Sequence, residues 1–537
     1  MDKTMKNKVI YFGKVLFGSF LLLTMTAGCS DLLNKQPKDQ ASNETYWRTK
    51  DDAVQAVNET YRYLTDIRFD IFLSAATDDS YAWSTWPVPI LSVGNGSAAT
   101  TNGVFNHYWS HSYEGIARAN NVLDHIDQIS DSELSSSIRA RLKAEVRFLR
   151  AYYYQELIMM FGDVPLIKHI QSSDEFEVPR TAKEKVADFI VNEMNDIAKD
   201  LPLEYSGSDK GRVTRGAAMA LKARVLLYQE KWPQAAKAAK AVMNLGEYSI
   251  DQGGYRSLFD GTNKDSNELI LVGKYKKNTY ANGVATWMGG PSLGGWSEVV
   301  PLQSLVDTYE CTDGKTIDNS SLYDPDHPFK NRDPRLKKTI ITPGDTVNGN
   351  VIDVTKPNSI DALGETNASF TGYYYKKYIP ADIDGAWYNN SHVDEVHMRY
   401  AEVLLNYAEA KIEAGDIDQS VYSSINKVRQ RKGVDMPPLN SPMSQSDLRK
   451  AVHRERHVEF AGEPFIRLFD IRRWKKAEDV MPGTVYGIKN DFDQSRADYG
   501  KHVQVENRTF DPKKDYLWPI PQNEMDLNSK LTQNKGW

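Results

Sequence analysis

The chain has 537 residues, 40% of them hydrophobic, and a mean hydropathy of −0.55, so it can bury one large core or several. Its 66 Lys and Arg against 72 Asp and Glu give a formal charge of −6 without any basic block, which argues against nucleic acid as the main partner. Two cysteines exclude a scaffold built on disulfides.

The first residues read as a targeting segment. Lys3, Lys6, Lys8 and Lys14 precede an uncharged apolar run, Val15 to Met25, which is too short to span a bilayer. In "TMTAGCSDLLN", Ala27 and Gly28 stand directly before Cys29. Small residues before a cysteine resemble a bacterial lipobox, in which the thiol is diacylated and the cleaved chain begins at that Cys. Thr26 departs from the aliphatic residue such boxes usually carry, and an ordinary secretory signal is the alternative. Residues 1–28 are thus expected to be a lipoprotein signal and Cys29 the lipidated residue. The polar, Pro-containing stretch 29–45 would be a tether.

Helices follow. Val54, Val57, Tyr61 and Leu64 recur at helical spacing behind Thr49 and an acidic pair, a helix start. "YEGIARANNVLDHI" puts Ile116, Ala119, Leu123 and Ile126 on one face. A longer pattern from Ser135 stops at Gly162, with Pro165 beyond it. Residues 183–200 and 215–230 continue the theme. Two helical hairpins stand out. "TRGAAMALKARVLLYQEKWPQAAKAAKAVMNLG" breaks near Trp232–Pro233, and "MRYAEVLLNYAEAKIEAGDIDQSVYSSINKVRQRKG" turns at Gly415–Asp416. Small residues at helical spacing allow close helix approach, and each stretch has the roughly 34-residue length of a tetratricopeptide unit. Between them, residues 251–395 are rich in Gly, Asn, Asp, Thr and aromatics, and read as an irregular lobe with short strands. The expected division is 46–250 helical, 251–395 loop-rich, and 396–537 helical again. The fold class is mostly α.

"HRERHVEF", residues 453–460, invites a catalytic or metal reading. On a helix, however, Glu455 and Glu459 continue the apolar face of Leu448 and Val452. Buried carboxylates need partners, and Arg467, Arg472 and Arg473 follow closely, so the expectation is buried Glu–Arg pairing. His453 and His457 lack the H-E-x-x-H order of a zincin, and arginines beside the carboxylates oppose a general acid. "VGNGSAAT" has G-x-G-x-x-A form, but no helical pattern opens on it. Asp324, Asp326 and Asp333 read as turn carboxylates rather than a calcium loop. No catalytic set, metal site or cofactor is predicted.

Six stretches in order, "RLKAEVRFLRAYYYQELIMMFGDVP", "NRDPRL", "MRYAEVLLNYAEAK", "INKVRQRKG", "RERHVEFAGEPFIRLFDIRRW" and "LWPIPQNEMDLNSKLTQNKGW", resemble the SusD/RagB family of Bacteroidetes surface glycan-binding lipoproteins. The resemblance implies a body of four tetratricopeptide-like units and a loop-rich lobe that carries ligand. It also implies an outer-membrane location and a SusC-like TonB-dependent transporter as partner, over which the lipoprotein closes as a lid. The implied ligand is a glycan, with a peptide as the alternative in the same architecture and a secreted glycoside hydrolase as the reading from another class.

The 11 Trp and 29 Tyr then become the lead to the ligand. Sugar rings stack their apolar C–H faces on indoles while their hydroxyls pair with Asp, Asn and Arg. "ATDDSYAWSTWPVP" offers Asp78, Asp79, Tyr81, Trp83 and Trp86. "TYANGVATWMGGPSLGGWSEVVP" offers Tyr280, Asn282, Trp287 and Trp296 among glycines. If both stretches lie on one face, their indoles form a single platform with Asp78–Asp79 at its edge. Trp109 and Trp474 sit at helical positions and read as core.

Overall fold

The computed structural model describes residues 46–382 and 390–537. The signal, the tether and Cys29 lie outside them. Numbering only helices of eight residues or more, the chain opens with α1, Lys50–Tyr61, whose Thr49 and Asp52 form a capping box. Next come α2, Gly103–His125, and α3, Ser136–Phe161. From Ala144 to Phe161 only Arg147 escapes full burial, so α3 is buried nearly all round and runs through the core, carrying Glu145, Arg150, Gln155 and Glu156 inside with it. It stops at Gly162, whose φ of 74° favours glycine.

The helices α4, Lys183–Ile197, α5, Arg215–Tyr228, and α6, Trp232–Met243, continue the stack. Gly216 lets Tyr248 lie against α5, because a Cβ there would stand 2.1 Å from the tyrosine oxygen. After the lobe come α7, Tyr400–Glu413, α8, Gln419–Arg429, α9, Gln445–Glu459, and α10, Ile466–Arg473. Each helix from α2 to α8 packs on the next, and α9 lies against α7. The two Ala-rich hairpins, distant in sequence, are therefore neighbours through α6 and α7, as tetratricopeptide-like units require.

The lobe is sewn on by strands. Leu269–Gly273 pairs antiparallel with Glu395–Arg399, closing the lobe near its two ends. Ser80–Ala82 pairs with Val299–Pro301, and a C-terminal hairpin joins Gly483–Lys489 to His502–Arg508. Every sheet among the described residues has two strands.

The face of α9 that carries Glu455 and Glu459 is buried, as its spacing predicts, but its partners differ from the expected ones. Arg335 Nη1 donates to Glu455 Oε1 at 2.6 Å and to Glu459 Oε2 at 2.9 Å. Arg429 reaches Glu455 at 2.8 Å, while Arg399 and Arg431 each reach Glu459 Oε1 at 2.6 Å. Burial would push the Glu459 carboxyl up, yet Arg431, Arg399 and Arg335 hold it well below the usual range. Arg467 and Arg473 instead bind Asp78 and Glu409, and Arg472 donates to the Leu468 carbonyl. The cations come from Arg335 in the lobe, Arg399 at the end of the strand that closes it, and Arg429 and Arg431 at and just after the end of α8. His453 stacks on Trp474 at 3.6 Å, and His457 Nε2 meets Asp79 Oδ1 at 2.5 Å, so the two rings serve different partners. Trp109 is core, whereas Trp474 is only half-buried.

Candidate binding site: an aromatic ledge

One strand pair assembles the site. Antiparallel register sets Ala82 opposite Val299, so residues just after Ala82 must lie beside those just before Val299. Trp83 and Trp296 are brought together this way, and Trp83 Nε1 donates to the Trp296 carbonyl at 3.4 Å. The second stretch folds back on itself. A short helix, Val284–Met288, carries Trp287, and the Trp296 and Glu298 N–H groups donate to the Thr286 and Trp287 carbonyls at 2.8 Å. The fold-back needs Gly295, where a Cβ would stand 2.0 Å from the Gly289 oxygen.

The indoles cluster. Trp86 lies edge-on to Trp287 with centroids 5.7 Å apart and tilted over Trp296 at 6.0 Å; Trp287 and Trp296 are themselves 5.3 Å apart. Trp83 stacks on Phe370 at 5.7 Å and 29°. Exposure sorts these rings. Trp86 is 59% and Phe370 49% exposed, Trp83 and Trp296 are half-buried, and Trp287, at 4%, is the floor. The two tryptophan stretches thus do form one ledge, open to flat apolar ligand faces.

The other expected contributors lie elsewhere. Asp78 and Asp79 are not at the ledge's edge. Both are buried, Asp78 held by Arg467 through two bonds of 2.8 and 2.5 Å and Asp79 by His457. Burial would raise the Asp78 carboxyl, but Arg467 brings it below its ordinary range. Two adjacent carboxylates this close to α9 and α10 find cations there, which a loop reading could not foresee. Tyr81 is buried on Val300 and Leu302 and supports Phe370 edge-on at 6.1 Å. Asn282 is also interior, since its Nδ2 donates to the Val393 carbonyl and its Oδ1 accepts from Val284 N–H. Tyr280 is 42% exposed, but its ring stacks on Tyr275 and its hydroxyl meets Thr65 Oγ1 at 2.6 Å.

Two residues were missed. Phe370, in "NASFTGYYY", carries the same signal as the tryptophans, an aromatic among small polar residues, but lies far from both stretches in sequence. Glu298 follows Trp296 by two residues, is buried, and has a carboxylate oxygen without a hydrogen-bond partner. Burial alone pushes its carboxyl up to about 7. Nearby, a cleft of about 790 Å³ opens between the helix Gln303–Thr308 and the C-terminal hairpin, lined by Asp78, Asp307, Tyr486, Asp498, Lys501 and His502 among others.

No helix among the described residues is long and apolar enough to cross a membrane. The family model described as the SusD family matches residues 257–537, and a model described as starch-binding and associating with outer membrane matches 35–227. SusD-like protein P2 of Formosa agariphila is 26% identical over 550 residues, covering 96% of this chain and 98% of its own. The starch-binding protein SusD of Bacteroides thetaiotaomicron is 27% identical over 215 residues, covering 36% and 37% respectively. A SusD-like carbohydrate binding protein from Bacteroides fragilis matches in structure with a TM-score of 0.82 and 29% identity, over 91% of this chain and 100% of that one. With a model spanning more than half its length, the chain belongs to the SusD/RagB family.

Proposed function

We propose that the chain is a non-catalytic, lipid-anchored protein of the outer membrane that captures an oligo- or polysaccharide at the cell surface. It then delivers the glycan to a SusC-like TonB-dependent transporter. The observation that carries the reading is the ledge of Trp86 and Phe370 over Trp83, Trp296 and Trp287, the arrangement that stacks sugar faces without acting on a bond. The relatives named for starch and carbohydrate binding support it. The carboxylates of α9 are clamped by arginines and serve as scaffold, the opposite of a glycosidase acid.

Affinity electrophoresis against a panel that includes starch and laminarin tests this reading. The protein should be retarded by at least one glycan, and Trp86→Ala and Trp296→Ala should migrate freely. No retardation by any polysaccharide, or equal retardation of both variants, would count against glycan capture. The peptide reading rests on the charged cleft beside the ledge, and a peptide library in the same study would reveal it. For the anchor, Cys29→Ala should leave the membrane fraction. For the transporter, co-purification with a SusC-like barrel is the expected result.

A further inference from the structure

A second constellation lies away from the ledge, where α2 meets the turn after α1. His107 and His111 are one turn apart on α2 and present the same face. Asp66 reaches them from the turn, and its Oδ2 is hydrogen-bonded to His107 Nε2. One ligand atom from each of the three lies within 4.8 Å of the others. The His107 ring is clamped on Phe69 at 3.4 Å and stacked with His111 at 5.3 Å. His111 Nε2 is 3.2 Å from the Tyr63 carbonyl, the kind of outer partner that orients a ligating imidazole.

What lies behind this trio matters as much. Glu395 is fully buried, and its Oε2 accepts from the Asp66 N–H at 3.1 Å. Asp70, also buried, accepts the Tyr108 hydroxyl at 2.8 Å and shares a hydrogen bond with Glu395. Neither carboxylate is ion-paired with a lysine or arginine among the described residues, in contrast to the carboxylates of α9. Arg68 is exposed, lies 5.1 Å from the Phe69 ring centroid, and is the one lysine or arginine whose charge reaches Asp66 and His107 among the described residues. An acidic pair behind two imidazoles and a carboxylate favours a cation at the trio.

We propose that Asp66, His107 and His111 form a binding site for a divalent transition ion, with zinc the ion that the donors suit. Two imidazoles and one carboxylate are one of the established three-ligand sets of an open zinc site, whereas calcium takes six to eight oxygens. Donors on a tetrahedral zinc, at about 2.0–2.2 Å from the ion, stand roughly 3.3–3.5 Å apart, so side-chain adjustments of about 1 Å close the site. Asp66 and His107 retain 18% and 24% side-chain exposure, which leaves an entry path and room for a water ligand. The ion would tie α2 to the turn whose Thr65 binds Tyr280 and whose Ile67 N–H donates to the Tyr275 hydroxyl. It would thereby brace the helical body against the loop-rich lobe.

The test uses full-length protein, purified in detergent and stripped with a chelator, then titrated calorimetrically with zinc chloride. One equivalent should bind, calcium should not compete, and cobalt(II) should give visible ligand-field bands. Asp66→Asn and His111→Gln should each weaken zinc binding by more than about 100-fold, and Glu395→Gln by about 10-fold, as an outer partner does. Trp86→Ala, which strips the glycan ledge, should bind zinc normally, separating this site from the ledge. Unfolding followed by circular dichroism identifies any variant that fails to fold, and the remaining ligand variant then decides. Absence of stoichiometric zinc binding, or unchanged affinity in a folded Asp66→Asn or His111→Gln protein, would overturn the proposal.

Discussion

Around α9, Glu455 and Glu459 are buried with four arginines and every carboxylate oxygen is met; at the ledge, five aromatic rings gather, of which Trp86 and Phe370 face water. The first region exposes almost nothing and gains its stability from complete pairing, because a buried charge without a partner is costly. The second leaves apolar area uncovered, which folding alone would not favour. The contrast separates fully paired scaffold from exposed apolar surface more sharply than residue type does. A glutamate pair that looks catalytic is structural, and a tryptophan loop that looks irregular is an ordered, exposed aromatic ledge.

The largest effect should come from breaking the paired region. Glu459→Ala strips one carboxylate from Arg335, Arg399 and Arg431 and leaves them buried. It should cost about 3–5 kcal/mol, read as a lower urea midpoint at unchanged slope. Trp287→Ala tests where the ledge ends and the core begins. As the buried floor it should lose about 3–5 kcal/mol of stability as well as ligand binding. Trp86→Ala sharpens the distinction: it should weaken glycan binding by about 2 kcal/mol or more with an unchanged melting temperature. If Trp86→Ala lowers the melting temperature as Trp287→Ala does, the ledge is core after all.

Acid and base should separate the two regions as well. Burial opposes ionisation of Glu409, but Arg473 and its neighbours bring its carboxyl down to about 2, below its unfolded value. That contribution to stability is complete above the unfolded pKa of about 4.3 and is lost as pH falls through about 2. Glu298 runs the other way. Its folded pKa near 7 lies above the unfolded value, so the native state holds the proton more tightly. Its contribution is complete below about pH 4 and disappears as pH rises through about 7. Glu298→Gln should therefore flatten the decline between about pH 4 and 7, by on the order of 1–2 kcal/mol, in urea titrations across that range. An identical slope in the variant would mean that Glu298 is solvated.

Much of the helical body was legible in the amino-acid order because helix signals are local. The Thr49–Asp52 box, the stop at Gly162 and the Ala-rich hairpins each act within a few residues. The inward face of Glu455 and Glu459 was also legible, since periodicity reports which side of a helix is buried. Periodicity does not report what that side is buried against. Arg335, Arg399 and Arg431 approach from other segments, so the nearer Arg467, Arg472 and Arg473 were the wrong partners. The same limit governed the ledge. Composition marked Trp83, Trp86, Trp287 and Trp296, but only the pairing of Ser80–Ala82 with Val299–Pro301 joined them. Partners on α9 and α10 turned Asp78 and Asp79 inward, and Phe370 joined through Tyr81 and Trp83. Local chemistry thus determined the elements and the candidate residues. Long-range pairing, which carries no local signature, decided which of them meet and which face water.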